Sequence, residues 1–404
     1  MNSGHEPGTV VIVHRVPVSV TPLHEWLPEV RDRVVLVTST ESADGYRKVF
    51  EQVVAVDDYS HSQAVVEQLD ELCRTRRVER IVCGTEDDAL RVSAARERWG
   101  IPGTTVHDAL LHRDKLLMKD AVSKVVRTPR YSAPRTPDEA VEFAERTGWP
   151  VVVKPRLGYG SRGVRVVGDA DSLRRELAGR PGDDLLLEEF VPGTVHHVDG
   201  FTHRGEVLWS VSSRYLNNCL SWQEGRSLGS AQMDPEDALA RRLGVFARAV
   251  AGALPLPEPT PFHLEVFRHS VTDELYFCET AARTGGGYIL DVLERATGMN
   301  CVREWYREQS GLSHRADRPE PTAERYGFLL VPPRQGRLRS IAGDQPGYAE
   351  VRVNASPPQV FDAAAASTDT VMGAIVSGTS NETVEERLVS CMEWATRAME
   401  WETV

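Results

Sequence analysis

Short apolar runs alternate with amphipathic stretches along the first quarter of the chain. Residues 9–13 read TVVIV, and apolar residues recur at helical spacing over about 62–76 and 87–98. Three further β-branched runs begin at Arg33, Gln52 and Glu79. Strands that alternate with helices are typical of a parallel sheet with crossover helices. We therefore predict a Rossmann-like N-terminal domain over residues 1–110, although its first strand lacks the glycine fingerprint of a dinucleotide site.

The pattern changes near Ala109, where a helix and then a series of strands are predicted. The segment RDKLLMKDAVSKVV has helical spacing, and TPDE at 136–139 is a start signal for a second helix. Residues 262–280 alternate around a polar turn and predict a hairpin. We assign residues 111–195 to a small subdomain and residues 196–315 to a large one.

A polar connector that contains prolines follows His314. Beyond it, four apolar runs and a closing helix over about 382–401 are predicted. We assign residues 316–404 to a small C-terminal α+β domain. The whole chain is thus expected to be a multidomain protein of mixed α/β and α+β class.

The charge balance and the cysteines limit the classes of binding partner and the cellular compartment that we expect for this protein. Asp and Glu number 59 against 47 Lys and Arg, and the formal charge of -12 opposes binding to nucleic acid or anionic membranes. The 6 cysteines form no CxxC pair, so neither a zinc ribbon nor a disulfide framework is indicated. Apolar runs are strand-sized and the N-terminus does not resemble a secretory signal, so we expect a soluble, cytoplasmic protein.

Residues 158–163 match a GxGxxG pattern, which by itself is a weak signal. An extended run, Val164 to Val167, follows, whereas a dinucleotide fingerprint would need a helix there. A glycine loop between two strands can instead fold over nucleotide phosphates, with backbone N–H groups near Gly160 and the Ser161 hydroxyl as donors. A plain structural hairpin is the alternative for the loop alone.

Two lysines favour a phosphate site. Lys154 closes the apolar run VVVK, where a buried ammonium is costly unless an anion lies beside it. Lys115 stands near the start of the helix predicted over 113–126, where its charge opposes the helix dipole and would gain from a bound polyphosphate. An ordinary surface lysine is the alternative for Lys115.

Two glutamates are expected to face each other across the predicted hairpin. A turn over 269–273 centres the pairing on residue 272, which sets Glu265 opposite Glu279 with roughly 5 Å between β-carbons. Such carboxylates repel unless a proton, an arginine or a divalent cation lies between them. Oxygen ligands beside a phosphate site favour Mg2+. A pair of solvent-facing glutamates is the alternative.

Arg283 follows the hairpin and stands just before a helical pattern. Arginine beside a helix N-terminus suits a transferring phosphoryl group, so Arg283 is a candidate catalytic residue. Two further candidates concern the substrate pocket. Arg226, in the segment SWQEGRS, is either a clamp for a substrate carboxylate or a surface-loop residue, and Gly286 lies in the glycine run after Arg283.

Together these motifs resemble the ATP-grasp superfamily, and within it carboxylate-amine ligases similar to bacterial L-amino acid ligases. The markers occur in family order over about residues 115–301: the DK helix, VVVKP, GYGSRGV, LLLEEFVPG, the HLE strand and ETAARTGGG. The resemblance implies an ATP-grasp fold between a Rossmann-like and a C-terminal domain. It also implies an ADP-forming ligase that uses ATP and two Mg2+ ions.

The resemblance further implies roles for individual residues. Lys115 and Lys154 would hold ATP phosphates, and Arg283 would steady an acyl phosphate. Glu265 and Glu279 would bind magnesium. Adenine and ribose would face the segment LLLEEFVPG and the strand after it, through Glu188, Glu189, Val191 and His196.

Two positions depart from the family pattern. Many relatives have a glutamate where this chain has Val195, and an asparagine where it has Ala281. The second change leaves the implied magnesium shell one protein oxygen short. Members similar to L-amino acid ligases often share the AAR form, so Ala281 agrees with that subgroup.

The implied reaction joins a small-molecule carboxylate to an amine through an acyl phosphate, on amino-acid-like substrates. Three alternatives remain open at this point. The acceptor can be the thiol of a carrier protein, the chain can bind ATP without catalysis, as Ala281 and Val195 would allow, or it can be a dinucleotide oxidoreductase. A homodimer is a further expectation, and neither nucleic acid nor a membrane is an expected partner.

Overall fold

The computed structural model describes residues 7–178, 184–217, 219–312 and 322–402. Helices and strands are numbered here in chain order. The N-terminal elements form a parallel sheet with the strand order β3-β2-β1-β4. They are β1 (Thr9–Val13), α1 (Leu23–Trp26), β2 (Val34–Ser39), α2 (Thr40–Arg47), β3 (Val53–Val56), α3 (Ala64–Thr75), β4 (Val78–Cys83), α4 (Ala89–Trp99) and α5 (Val106–Leu111). Buried valine, isoleucine and leucine side chains cover both faces of this sheet, as expected for parallel strands.

The second unit is a four-stranded antiparallel sheet with the order β5-β8-β6-β7. Its elements are α6 (Lys115–Val122), β5 (Tyr131–Ser132), α7 (Pro137–Thr147), β6 (Val151–Pro155), β7 (Arg165–Val167), α8 (Ala170–Leu177) and β8 (Leu185–Glu189). The hydroxyl of Thr136 accepts a hydrogen bond from the backbone N–H of Glu139 and thereby caps α7, which ends at Thr147 with Gly148 as its C-cap. The start signal in the sequence therefore predicted this helix correctly.

The largest sheet has eight strands in the order β13-β12-β9-β10-β11-β14-β18-β16. Its first part comprises β9 (Gly193–His203), β10 (Glu206–Tyr215), β11 (Leu228–Gln232), α9 (Ala238–Ala253), β12 (Thr260–His269), β13 (Leu275–Ala281), α10 (Ile289–Thr297) and α11 (Cys301–Gln309). Two short 3-10 turns, Arg31–Arg33 and Ser221–Glu224, complete the described helical segments outside the C-terminal part.

The C-terminal elements are β14 (Arg325–Val331), β15 (Gly336–Ile341), β16 (Ala349–Val353), β17 (Gln359–Phe361), β18 (Met372–Gly378), α12 (Asn381–Ala398) and β19 (Met399–Glu402). Three of these strands, β14, β16 and β18, extend the large sheet, while β17, β15 and β19 form a small one. Main-chain hydrogen bonds between β11 and β14 thus join the C-terminal segment to the preceding unit. The closing helix ends at Ala398, three residues before the predicted end, because β19 pairs with β15.

The two faces of the large sheet pack against different helices. On one face, Val198 and Leu264 contact a core that includes Leu243 and Phe246 of α9. On the other face, residues of β9, β10 and β14 pack against α10 and α11. Because side chains alternate along a strand, odd-numbered residues of β9 from 195 to 201 point to the face of α10. Among the described residues, no helix is long and apolar enough to cross a membrane.

Candidate active site

Glu265 and Glu279 are directly opposite each other on the neighbouring antiparallel strands β12 and β13. The predicted pairing of the two carboxylates is therefore confirmed. The register then shifts, because Val266 pairs with Phe277 and Cys278 has no partner on β12. This β-bulge was not foreseen in the sequence, and it lies beside the two carboxylates. Bulges at such places redirect side chains, and here both glutamates border the same two cavities.

Each of the two carboxylates has a different environment. The Nζ of Lys115 lies 3.1 Å from Oε2 of Glu279. Burial favours the neutral acid, but the charges of Lys115 and Lys154 prevail and lower the pKa of Glu279 to about 2. Glu265 has weaker neighbours: the hydroxyl of Tyr215 lies 3.4 Å and Nε2 of His263 lies 3.6 Å from its Oε1.

Two thiols also approach the carboxylate of Glu265. The sulfur of Cys219 lies 3.9 Å from Oε1, and that of Cys278 lies 3.7 Å from Oε2. Burial raises the pKa of both thiols well above the usual value, so they stay protonated at neutral pH. The strong donors of the pair are therefore carboxylate oxygens. That donor set fits a hard cation such as Mg2+ better than zinc, which favours thiolates.

Two buried lysines share one carboxylate on the opposite side of the cleft. Oε1 of Glu188 on β8 lies 2.7 Å from Nζ of Lys154 on β6 and 3.0 Å from Nζ of Lys119 on α6. Burial favours the neutral amine at both lysines, but at Lys154 the charge of Glu188 prevails and raises the pKa. At Lys119 burial prevails and lowers the pKa, with the charge of Lys154 acting in the same direction.

Lys115 connects the start of α6 to the glycine loop. Asp114 caps α6 by accepting a hydrogen bond from the N–H of Leu116, and it also pairs with Arg156. This arrangement holds Lys115 at the first position of the helix. Its ammonium reaches the carbonyl oxygen of Gly158 as well as Glu279. Lys115 thus lies between the glycine loop and the paired carboxylates, and it is 7% exposed.

The glycine loop is a turn between β6 and β7. Gly160 and Ser161 have φ values of 62° and 57°, in the left-handed region. The strand β7 begins at Arg165 and pairs antiparallel with β6, so no helix follows Gly163. The condition for a dinucleotide fingerprint is therefore not met. The tip of the loop touches the C-terminal segment, where the N–H of Ser367 donates to the carbonyl of Gly160 over 3.3 Å.

Two adjoining cavities meet at the paired carboxylates. The first, which we call the cleft, lies between the four-stranded sheet and β9, β12 and β13. The predicted residues that line it are Lys115, Lys154, Ser161, Glu188, Glu189, Val191, Glu265 and Glu279. The second, which we call the chamber, is bordered by Gly160, Ser161, Glu265, Glu279, Arg283 and Gly286, and also by the N-terminal residues Arg15, Glu86 and Asp87.

Arg283 lies in the turn between β13 and α10 and borders the chamber. Its Nε donates to Glu86 of the N-terminal unit, and its Nη1 donates to the carbonyl of Thr284 over 2.7 Å. Burial would favour the neutral form, but the charge of Glu86 prevails and raises the pKa of Arg283. A guanidinium fixed beside two carboxylates and the glycine loop can stabilise negative charge that develops in the chamber.

Comparison with known proteins agrees with this geometry. Residues 112–185 match the family model described as carbamoyl-phosphate synthase L chain, ATP binding domain. The chain is 25% identical over 323 residues to the L-arginine-specific L-amino acid ligase of Bacillus subtilis, and the match covers 76% of each protein. The chain is thus similar to ATP-grasp ligases.

Solved structures show the ATP-grasp fold for the whole chain. An L-amino acid ligase from Bacillus licheniformis superposes with a TM-score of 0.72 at 16% identity, over 99% of this chain and 100% of that one. The biotin carboxylase domain of a 2-oxoglutarate carboxylase from Hydrogenobacter thermophilus superposes with a TM-score of 0.65 at 18% identity. That match covers 98% of this chain and 91% of the other, which was solved with MgADP and bicarbonate.

A buried network of hydrogen bonds lies beside the paired carboxylates of the candidate site. Asp199 accepts hydrogen bonds from His197 through one oxygen and from Nδ1 of His263, at 2.8 Å, through the other. Nε2 of His197 lies 2.7 Å from the hydroxyl of Ser230. His197, Asp199 and His263 have the composition of a metal cluster. Because Asp199 and both nitrogens of His197 already have these partners, we interpret the group as a support for Glu265, which His263 approaches.

Two predicted site residues do not line either cavity. His196 is on the face of β9 that packs toward α9, where its Nε2 lies 3.0 Å from the hydroxyl of Thr194. The expected ribose contact is therefore corrected, because side-chain alternation directs Val195 and not His196 into the cleft. Arg226 is 57% exposed at its side chain and pairs with Glu224 at 2.7 Å, which corresponds to the surface-loop alternative.

Sequence reasoning missed two charged residues of the candidate site. Lys119 is four residues after Lys115 and hence on the same side of α6, a spacing that was available as a signal. Glu86 follows β4 at the carboxyl end of a parallel strand, where α/β sheets bind ligands. Nothing in the spacing of the sequence indicated that Glu86 would contact Arg283.

Proposed function

We propose that the protein is an ATP-dependent carboxylate-amine ligase that forms an amide or peptide bond through an acyl phosphate and releases ADP and phosphate. One observation carries the proposal. Lys115 and Lys154, the paired Glu265 and Glu279, and Arg283 surround one continuous space formed by the cleft and the chamber. Cations for a polyphosphate, carboxylates for a divalent ion and an arginine for a transferring group are the parts that phosphoryl transfer needs.

The cleft is the proposed site for ATP. Lys154 and Lys115 would contact the phosphates, with N–H groups of the loop around Gly160 and the hydroxyl of Ser161 as further donors. The adenine and ribose would lie against Glu189 and Val191, and Phe190 adds an apolar surface there. Glu189 is held by Arg130, whose Nε lies 3.2 Å from its Oε2. Glu188 would keep Lys154 oriented from below the phosphates.

Glu265 and Glu279 are the proposed magnesium ligands. Divalent magnesium would neutralise phosphate charge at this place. We propose two ions, each held by carboxylate oxygens, phosphate oxygens and water. Ala281 is opposite His263 on β12. Its methyl side chain cannot supply the oxygen that an asparagine would offer at this position. Water would supply the missing ligand, since Mg2+ usually keeps several waters.

In the first step, an oxygen of the substrate carboxylate attacks the γ-phosphorus of ATP. The bond between that phosphorus and the bridging oxygen of ADP breaks, and ADP leaves with the electron pair. Arg283 would contact the transferring phosphoryl group from the chamber side, while Lys154 and Lys115 hold the leaving phosphates. Fixed cations in a closed site act strongly, because a unit charge pair at 4 Å is worth about 4 kcal/mol at an effective dielectric near 20.

In the second step, the nitrogen of the amine attacks the acyl carbon and phosphate leaves with the electrons of the carbon–oxygen bond. The proton lost by the amine passes to phosphate or solvent. Water would destroy the acyl phosphate, so the chamber must be closed during both steps. Gly160 contacts Ser367 and both residues border the chamber, which supports a role of the glycine loop in this closure.

The proposed substrates are a small carboxylate and a small amine that resemble amino acids. The named relatives support this choice, since one acts as an L-amino acid ligase specific for L-arginine. A homodimer remains a prediction. The acceptor distinguishes an amine ligase from an enzyme that loads a carrier-protein thiol, so the acceptor has to be varied in the experiment.

An ADP-release screen tests the proposal. Free amino acids and other carboxylates are crossed with amines and with carrier proteins, with ATP and Mg2+ in every reaction. The proposal expects ADP formation that requires both a carboxylate and an amine, and mass spectrometry should find the amide. A thioester on a carrier protein, without an amide, would replace the proposal by carboxylate-thiol ligation. ADP formation that no carboxylate stimulates in any reaction would overturn both.

A further inference from the structure

The carboxylate of Glu86 joins two arginines from different parts of the chain. One of its oxygens pairs with Nη1 of Arg113, and the other accepts from Nε of Arg283. The side chains of Glu86 and Arg113 are 14% and 11% exposed, so the bridge is largely shielded from water. Nothing else among the described acidic residues contacts the guanidinium of Arg283 within ion-pair distance.

The turn that carries Glu86 is itself fixed. Asp88 accepts a hydrogen bond from the hydroxyl of Thr85, and it pairs with Arg91 and with the hydroxyl of Tyr59. Asp88 is fully buried, so these contacts hold the turn after β4 against the N-terminal core. Glu86 is thus presented from a rigid element rather than from a loose loop, which a positioning role requires.

The second arginine connects the bridge to the glycine loop. Nη2 of Arg113 donates to the carbonyl of Leu157 over 3.2 Å, just before the loop begins. The guanidinium of Arg113 also lies over the ring of Tyr159, 5.9 Å from its centre. The same carboxylate therefore touches the arginine of the chamber and, through Arg113, the base of the loop that covers the cleft.

The metal-side carboxylates compete with Glu86 for Arg283. Glu265 and Glu279 border the chamber with Arg283, and both act electrostatically on its guanidinium. Without the carboxylate of Glu86, Arg283 would be drawn toward these two residues and would neutralise the charge that a divalent cation needs. With it, Nε and Nη1 are occupied, and the hydrogen bonds of the described residues leave Nη2 for a phosphoryl oxygen.

We propose that Glu86 is a positioning residue, which holds Arg283 away from Glu265 and Glu279 and ties its place to the glycine loop through Arg113. The inference rests on the proposed function of Arg283. It adds a part for the N-terminal unit in catalysis, namely to supply the anion that orients the arginine of the phosphoryl site.

Kinetics of Glu86→Gln test the proposal in the full-length protein. Glutamine has the same shape but cannot hold two guanidinium groups, so kcat should fall about 10- to 100-fold, as for removal of an outer-shell partner. The KM for ATP should stay within about threefold, because the lysines of the cleft are untouched. Glu86→Asp keeps the charge and should recover part of kcat. Glu258→Gln is the matched control, since Glu258 lies in the cavity behind Arg283, pairs with Arg80 at 3.7 Å and should leave kcat unchanged.

A double variant separates positioning from direct substrate binding. In an Arg283→Lys background, Glu86→Gln should lower kcat by no more than about twofold, because its effect passes through Arg283. If Glu86→Gln lowers kcat in that background as much as in the wild type, or if it only raises the KM for the amine, Glu86 acts on the substrate directly. Either result would overturn the proposal.

Crystal structures of the wild type and of Glu86→Gln supply a readout that does not depend on activity. The proposal expects the guanidinium of Arg283 to turn toward Glu279 in the variant and to remain on Glu86 in the wild type. An unmoved guanidinium would contradict the positioning role even in an active ligase. A moved guanidinium in a protein that fails the ADP-release screen would support the positioning role and reject the proposed ligase.

Discussion

The ammonium of Lys154 and the carboxylate of Glu188 form a buried ion pair with 2.7 Å between Nζ and Oε1. The two residues are diagonal neighbours on the paired strands β6 and β8, because Glu188 is opposite Val152 and Lys154 is opposite Leu186. Both line the cleft. Lys119 contacts the same oxygen at 3.0 Å, so the carboxylate has two lysine partners. The charge of Glu188 raises the pKa of Lys154, and a phosphate group entering the cleft would meet the ammonium of this lysine.

Replacement of Lys154 should affect nucleotide use far more than folding. In Lys154→Met, Glu188 keeps Lys119 as a partner, so no buried charge is left alone. The loss of one preorganised cation at the phosphates should lower kcat/KM for ATP by about 100-fold. ADP formation and thermal unfolding measure the two effects. Lys124→Met, at an exposed lysine of the same region, is the control, and equal kinetics of the two variants would exclude a phosphate contact by Lys154.

The two paired carboxylates should set the magnesium dependence. In Glu265→Gln and Glu279→Gln, the Mg2+ concentration at half-maximal ADP formation should rise by at least about tenfold, since a ligand charge is lost. A titration of each variant with MgCl2 at fixed ATP measures this shift. Glu274 belongs to the same hairpin, where it pairs with Arg127 and accepts a hydrogen bond from the hydroxyl of Tyr276. The titration of Glu274→Gln should therefore match the wild type. If the titrations of both site variants are unchanged, Glu265 and Glu279 do not bind the metal.

The backbone of Gly160 should control closure of the glycine loop. Its φ of 62° is strained for any residue with a side chain, at about 1–2 kcal/mol. Gly160→Ala should therefore lower kcat/KM by about 5- to 30-fold if this conformation is the active one. Gly168→Ala is matched, because an added Cβ there meets no heavy atom within 4 Å and φ is not in the left-handed region. Equal rates for the two variants would mean that the loop acts in another conformation.

His196 should contribute to the pH dependence of stability and not to ATP binding. Burial first, and then the charges of Arg214 and Arg268, lower its pKa to about 3. The unfolded chain, with a histidine pKa near 6.5, takes up the proton first, so stability is complete above about 6.5 and is lost as the pH falls toward 3. Wild type should thus lose about 2–3 kcal/mol relative to His196→Gln between pH 7 and pH 4.5.

Urea unfolding at a series of pH values measures this difference, and the KM for ATP is measured in parallel. The KM of His196→Gln should stay within about threefold of the wild type, because the residue faces α9. His107→Gln changes an exposed histidine and should follow the wild-type stability curve. Parallel curves for the wild type and His196→Gln, or a large rise in KM, would contradict the placement of His196.

Local patterns predicted the parts of the site that depend on short segments. The predicted register of the hairpin set Glu265 opposite Glu279. The extended run after Gly163 distinguished the glycine loop from a dinucleotide fingerprint, which would need a helix there. Both features depend on side-chain alternation and turn position within about twenty residues. The bulge at Cys278 was not predicted, because a single unpaired residue does not change the apolar pattern of a strand in a recognisable way.

Contacts between segments that are far apart along the chain could not be predicted from the sequence. Glu86 contacts Arg283 because β4 and β13 both end at the chamber. The two residues are 197 positions apart, and no sequence pattern links residues at that distance. Lys119 has the spacing of a helical neighbour of Lys115, but its partner Glu188 lies on β8, far along the chain from α6. The C-terminal strands β14 and β18 extend the large sheet, and their apolar runs did not reveal which sheet they would join.

Transfer of an oxygen atom tests the central claim most directly. A substrate pair found in the ADP-release screen is used with both carboxylate oxygens of the acid labelled with 18O, and the phosphate and nucleotide products are analysed by mass spectrometry. The account predicts one labelled oxygen in inorganic phosphate for each amide formed, since that oxygen attacks the γ-phosphorus. Amide formation with unlabelled phosphate, or with the label in AMP, would contradict it.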